Sequence, residues 1–229
     1  MVRVKRHYTS ILGLVLALAG ILSGEARADL FGFSAITNNN AGNGSVFAAQ
    51  LSLEVTEVIG HPNQVLFTFR NNLGLFTVGA LSEVYFADGT LLGIASILND
   101  PGNVVFEEGS QPKDLPGGEN LEPPFTGENT TALFSAQESE GGNWAAVDPG
   151  ESLGILFDLV EGADFADVIA AIGLGFTDPL AAGSLRIGIH VQEIGGANSD
   201  SFILTPVPGA AILGLLGLGI AGWKLRRFA

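Results

Sequence analysis

The chain has 229 residues, a formal net charge of −14 and no cysteine. The acidity excludes nucleic acid as a partner of the region between the two ends, because phosphate contacts require lysine and arginine. Without cysteine there are no disulfides and no thiolate metal sites, so a single domain at residues 29–205 must be held together by burial of its core.

The N-terminal segment, residues 1–28, has the three parts of a secretory signal peptide. A basic head is followed by an apolar run at 11–22 and a small-x-small pattern; the residues concerned are Arg3, Lys5, Arg6, Ala26 and Ala28. The alternative is a permanent N-terminal anchor, but the apolar run is short for a membrane span. We therefore expect signal peptidase to cut after Ala28.

The middle of the chain is predicted to be rich in strands. Apolar and polar residues alternate there with the period of a strand that has one wet face, at 51–56, 64–70, 84–86, 91–94, 152–160, 184–194 and 201–204. Asp88-Gly89 between two of these runs predicts a hairpin. The pattern predicts an all-β fold, an antiparallel β-sandwich of jelly-roll-like type.

Two stretches of the middle differ from this pattern. Residues 111–129 are rich in Pro, Gly and Glu, which is typical of a long exposed loop. Residues 163–174 carry apolar side chains at helical spacing, and Asp164 is placed to cap them. We expect one short helix there.

One motif raises a catalytic alternative. Gly150-Glu151-Ser152-Leu153-Gly154 matches the G-x-S-x-G nucleophile pattern, and His190 follows it, in the chain order of a serine hydrolase. That pattern needs a strand before the serine and a helix after it, whereas here a turn precedes Ser152 and a strand-like run follows. A turn that leads into a strand is the favoured interpretation, and we expect no enzyme activity.

Acidic residues near turns raise a second alternative, a calcium-dependent glycan-binding module. Calcium prefers oxygen ligands from such loops, and the candidates are Asp88, Asp100, Glu107, Glu108 and Asp114. No EF-hand loop pattern is present, and the three histidines have no metal-ligand spacing. Solvated loop charge is the favoured interpretation, and no cofactor or metal is expected.

The C-terminal segment, residues 206–229, is predicted to enter a membrane. Two prolines precede an apolar run at 209–223, and a basic cluster follows it; these residues are Pro206, Pro208, Lys224, Arg226 and Arg227. A helix over residues 207–223 would be about 25 Å long, slightly less than the roughly 30 Å hydrocarbon core. It is a marginal transmembrane helix with a basic tail.

The charges at the two ends agree on one topology. Residues 29–206 hold three basic residues and 23 of the 24 acidic residues, whereas seven basic residues lie in the end segments. Positive charge stays on the cytoplasmic side of a membrane. Both ends are thus predicted inside, and the acidic middle outside.

The C-terminal layout, Pro206-Val207-Pro208, a Gly/Ala/Leu-rich apolar run and Lys224-Leu225-Arg226-Arg227, resembles the PEP-CTERM sorting signal, with Val207 in place of the usual Glu of that family. The resemblance implies an exosortase partner that cuts near the Pro-x-Pro motif. The middle is similar to PEP-CTERM cargo at 148–153, 183–192 and 198–202. Such proteins are tied to exopolysaccharide and biofilm in Gram-negative bacteria. The resemblance therefore implies a non-enzymatic protein of the cell surface or matrix that is anchored in the inner membrane in transit.

Overall fold

The computed structural model describes residues 26–39, 42–88, 91–100, 103–125, 132–139, 145–160, 162–196 and 198–207. Most of both end segments lies outside the described residues, including the predicted basic head, both apolar runs, Pro208, Lys224, Arg226 and Arg227. None of the helices in the described ranges has the length and apolar character that crossing a bilayer requires.

The described part is mostly β-structure and antiparallel, as the alternating patterns predict. Its strands form one ten-stranded sheet with the order β5-β8-β3-β2-β1-β10-β9-β4-β7-β6. The strands are β1 Ala28–Ala35, β2 Leu51–Glu57, β3 Gln64–Asn71, β4 Ala80–Asp88, β5 Leu92–Leu98, β6 Phe106–Glu108, β7 Ala132–Glu138, β8 Ser152–Leu159, β9 Leu185–Ile194 and β10 Asn198–Pro206.

The sheet curls so that its two halves face each other across a core of aromatic rings. Phe86 on β4 lies 5.2 Å from Phe67, 5.8 Å from Phe69 and 5.0 Å from Phe157 between ring centroids. Phe134 on β7 lies 5.1 Å from Phe157 on β8. Because four strands separate β3 from β4 in the sheet order, these contacts exist only in a curled sheet. We call these five rings the phenylalanine cluster.

Phe86 contacts rings from both halves of the sheet. Its removal should therefore lower the free energy of unfolding more than removal of a peripheral ring. It contacts all four other members of the cluster and is fully buried. We expect Phe86→Ala to lower the free energy of unfolding by about 3–5 kcal/mol, measured by urea denaturation. Phe176→Ala, at a partly buried ring that contacts Phe31, should cost less than half as much. Equal losses would contradict this assignment.

The two edges of the curled sheet are joined through one side chain. Asn99, directly after edge strand β5, donates from Nδ2 to the Phe106 carbonyl (3.0 Å) and accepts from the Phe106 N–H at Oδ1 (2.8 Å). Phe106 begins the opposite edge strand, β6. The amide thus satisfies both backbone groups of Phe106, as a neighbouring strand would, and leaves less of this edge open to pairing with other chains.

Loss of this amide should leave a buried residue with two unpaired backbone groups. We expect Asn99→Ala to cost about 1–3 kcal/mol of unfolding free energy and to speed amide hydrogen exchange at Phe106. Asn103→Ala is the matched control, since its side chain bonds only to exposed Asp100 within the described residues; the change should stay within about 0.5 kcal/mol. Unchanged exchange at Phe106 in Asn99→Ala would refute the bridging role.

The predicted helix is confirmed. Helix α1 is a short turn at Asn43–Phe47, and α2 spans Phe165–Thr177. Asp164 caps α2 by accepting from the N–H groups of Ala166 and Asp167, and the Asp167 side chain accepts from the Asp164 N–H in return. This reciprocal capping box stabilises the first turn, and the apolar face of α2 packs into the main core beside β9.

The predicted loop is confirmed for its described part, residues 111–125, which form no strand and are mostly exposed or half-buried. It is not exposed throughout, because it covers the outer face of the sheet, where Leu115 and Phe125 are buried with Tyr85 and Ala87 in a second apolar cluster. Arg186 on β9 donates to the carbonyls of Pro123 and Pro124 and lies over the Phe125 ring. A few apolar side chains and one arginine thus fasten the loop to the sheet.

The predicted hairpin around Asp88 is wrong. β4 pairs with β7 and β9, whereas β5 pairs with β8 at the far edge of the sheet. The chain therefore crosses from one half of the curled sheet to the other after Asp88. The sequence pattern identified both strands but not their partners. Strand pairing depends on which apolar faces, distant from each other in the sequence, are buried together.

Candidate functional site

The two ends of the described chain lie at one pole of the molecule. β1 and β10 are central neighbours, with Phe31 opposite Pro206, and Ala28 lies three residues before Phe31, about 10 Å along the strand. Ala26 and Ala28 are exposed. Arg27, between them, forms an ion pair with Glu57 on β2, with Nε 3.0 Å from Oε2. We call this end of the molecule the terminal pole.

A line of polar side chains crosses the outer face of five adjacent strands. The cross-strand partners are Glu107 with Gln137, Gln137 with Glu83, Glu83 with His190, and His190 with Ser201, on β6, β7, β4, β9 and β10. We call these five residues the polar row. Inward side chains on the same strands form the apolar core, so the row is the outward half of the strand alternation.

A groove lies above Gln137 and Glu83 of the row, beside Glu107. It consists of two adjoining cavities of about 420 and 400 Å³, which share Gln111 and Gln137. Amide, hydroxyl and carboxylate groups line it; the lining residues include Ser82, Glu83, Ser110, Gln111, Lys113, Ser135, Gln137, Glu138 and Gln192. Ala80 pairs with Gln192 at the end of β4 opposite to Asp88, so the groove lies away from the terminal pole.

Hydrogen bonds hold the floor and the wall of the groove together. Gln137 accepts the Gln111 N–H at Oε1 (2.9 Å) and donates from Nε2 to Glu107 Oε1 (3.3 Å). The Tyr85 hydroxyl shares its proton between Glu83 Oε2 (2.8 Å) and the Pro112 carbonyl (3.1 Å). These bonds orient Gln137 and Glu83 at the floor of the groove.

Glu83 is a carboxyl group enclosed at the groove floor. Burial and, to a lesser extent, the nearby charge of Glu138 raise its pKa, whereas the Tyr85 hydrogen bond acts in the opposite direction. The pKa of Tyr85 is raised in turn, first by burial and then by Glu83. A carboxyl that lines the groove can accept hydrogen bonds from groups that enter it.

The other end of the polar row is sealed from solvent. His190 Nδ1 lies 2.8 Å from Ser201 Oγ, and the Ser201 N–H donates to Thr37 Oγ1. Thr37 donates to Oδ1 of the fully buried Asp200, which also accepts the Asn39 N–H. This network fastens the segment after β1 to β10.

His190 should make the fold sensitive to acid. Burial lowers its pKa to about 4, against the opposing charge of Asp200, whereas the unfolded chain protonates this ring near pH 6.5. Between these values the unfolded state binds more protons, so the unfolding free energy falls as the pH falls. The loss reaches about 3 kcal/mol.

The check is a urea unfolding series between about pH 4 and pH 7. His190→Gln keeps a partner for Ser201 but cannot protonate, so it should lose less stability than the wild type over this range. His61→Gln, at an exposed site, should retain the wild-type slope. Identical slopes for wild type and His190→Gln would contradict the prediction.

Ser152 and His190, the pair of the hydrolase alternative, are not brought together. Ser152 begins β8 with an exposed side chain and has Arg70 of β3 as its cross-strand partner. Ser152 and His190 lie on the outward faces of opposite halves of the curled sheet, because their neighbours Leu153 and Ile189 are in the core. His190 contacts Ser201 instead. The motif is a turn that leads into a strand, as the sequence favours.

The acidic candidates for calcium are spread over several elements. Asp88 ends β4, Glu107 and Glu108 lie on edge strand β6, and Asp100 and Asp114 lie in connections. Among the residues that the structure describes, no group of three or more His, Cys, Asp or Glu side chains could hold a metal ion.

Sequence reasoning missed most of the groove. Gln137 and Gln192 sit in ordinary alternating strands, and only the cross-strand register assembles them. A signal existed for Glu83, a charged residue inside the apolar run from Leu81 to Phe86, because a buried carboxyl requires a specific partner.

A scan against protein-family models, a search of curated proteins and a search of solved structures each found no match.

Proposed function

We propose that this chain is an exported, non-enzymatic protein of the cell surface or extracellular matrix, sorted by a PEP-CTERM-like C-terminal signal and associated with exopolysaccharide. Signal peptidase removes residues 1–28, and an exosortase-like enzyme acts near Pro206 and Pro208 while residues 209–223 hold the chain in the inner membrane. The exported part is an acidic β-sandwich of jelly-roll-like type.

The observation that carries this proposal is the distribution of charge and apolar residues along the chain. An anionic middle with three basic residues lies between two apolar segments that each carry a basic cluster. A cluster of positive charge beside an apolar segment is retained on the cytoplasmic side. Two independent segments therefore direct the same middle region outward.

The positions of the chain ends support the same topology. Both ends of the described chain leave from the terminal pole, on the adjacent central strands β1 and β10. A domain attached through such ends can stand on one face of a membrane without strain on either connection.

The pairing of Ala28 sets the order of two steps in this proposal. Ala28 is the first residue of β1 and pairs with Thr56 of β2, and a protease requires a backbone free of such pairing. Cleavage after Ala28 therefore precedes closure of β1 onto β2. It also removes Arg27 and its exposed ion pair with Glu57, which contributes little in solvent.

Intact-mass analysis of the protein from its own host, combined with cell fractionation, tests the proposal. We expect a chain that begins at Asp29, ends near Pro206 and is recovered outside the cytoplasm. Ala28→Leu should retain the leader, because signal peptidase requires a small residue there, and the exposed position should tolerate leucine in the fold.

Ala182→Leu provides the matched control, since Ala182 is exposed but lies far along the chain from the cleavage site. It should be processed as the wild type is. Recovery of the full, uncut wild-type chain as a folded cytosolic protein would overturn the proposed function.

A further inference from the structure

The geometry points to a binding site for a neutral, linear polysaccharide in the groove over Gln137, Glu83 and Gln192. This inference names the ligand class for the surface protein proposed above and rests on that proposal for its biological setting. The site itself follows from the shape, spacing and chemistry of the groove.

The spacing of the floor suits a chain of sugars. Its three side chains, Gln137, Glu83 and Gln192, stand on β7, β4 and β9, which are consecutive strands in the sheet. Gln137 and Glu83 are cross-strand partners, and neighbouring strands lie about 4.8 Å apart, which is close to the length of one pyranose unit. Gln192 lies two residues beyond His190, the partner of Glu83, so a linear polysaccharide would cross the strands obliquely and meet these side chains over about 13 Å.

The lining has the chemistry that hydroxyl groups require. A sugar hydroxyl both donates and accepts, and side-chain amides and serine hydroxyls do the same. The groove provides three glutamine amides and several serines, with Glu83 as an acceptor at the floor. Its two cavities, about 420 and 400 Å³, fall within the size range of ligand sites.

The negative charge of the groove favours neutral polysaccharides over anionic ones. Glu83, Glu107, Glu108 and Glu138 lie in or beside the groove, against the single cation Lys113 among its lining residues. A uronate-rich or sulfated chain would be repelled, since like charges at this range disfavour binding. The hydroxyl groups of a neutral chain can donate hydrogen bonds to the same carboxylates.

The site is organised before a ligand enters. Gln137 is held between the Gln111 N–H and Glu107, and Glu83 is held by Tyr85. Tyr85 and Ser110 also bond to the Pro112 carbonyl, which fixes the wall beside the floor. Groups that are already oriented lose less conformational freedom on binding.

Titration calorimetry on the full chain in detergent tests the inference with defined probes. These are cello-oligosaccharides and N-acetylchito-oligosaccharides of two to six units, with oligogalacturonate of the same lengths as the anionic comparison. We expect at least one neutral series to bind, with affinity rising up to about two or three units, the length of the floor, and then levelling. Oligogalacturonate should bind at least about tenfold more weakly.

Substitutions inside and outside the groove test whether the sugars bind there. Gln137→Ala and Gln192→Ala should each lower the affinity by about tenfold or more, whereas Gln64→Ala should leave it unchanged. Gln64 is the matched control, since it bonds to Asp158 across β3 and β8, away from the groove. If Gln137→Ala unfolds, Gln192→Ala and Glu83→Gln decide the question, because neither removes a bond between floor and wall.

The inference is overturned if the wild-type chain binds neither neutral series, if it binds oligogalacturonate as tightly, or if Gln64→Ala reduces affinity as much as the groove variants do. These outcomes are separate from those of the export proposal. A processed, surface-located chain that binds no sugar refutes the groove alone, and a sugar-binding chain that stays uncut in the cytosol refutes export alone.

Discussion

The contact between Phe86 and rings from the opposite half of the sheet is the interaction on which the rest of the structure depends. A ten-stranded open sheet would expose one apolar face along its whole width. The phenylalanine cluster brings β3 and β8 against β4 and β7, so that each half of the sheet covers the other. Burial of aromatic rings, with edge-to-face geometry in most of these pairs, drives the closure.

The curling of the sheet determines which side chains lie on its outer face. Because the inward side chains pack in the core, the outward side chains on β9, β4 and β7 contact either residues 111–125 or solvent. Near the terminal pole that segment seals an apolar cluster around Tyr85 and Leu115. Towards the other pole the outward residues become polar, and the same segment forms a wall beside them. The groove is therefore a consequence of where the covering segment stops.

Local features were predictable from the sequence, and non-local ones were not. The strands at 152–160 and 184–194 and the helix capped by Asp164 were found, because alternation and capping are properties of a few adjacent residues. The hairpin at Asp88 failed because strand partners are selected by burial across the whole sheet. His190 was placed on the polar face of its strand, but its contact with Ser201 and the alignment of Glu83 with Gln137 depend on cross-strand register, which no local pattern encodes.

The placement of the groove relative to the chain ends connects the two proposals. β10 runs from the turn after Ile194 to Pro206, so the strand that leads into the proposed sorting segment carries the chain from the groove end to the terminal pole. If the terminal pole faces the membrane, the groove lies towards the opposite end of the domain, away from the lipid. A polymer too large to approach the membrane could still reach it. Under the proposed topology, cleavage near Pro206 and Pro208 would change the location of the proposed binding site without altering its geometry.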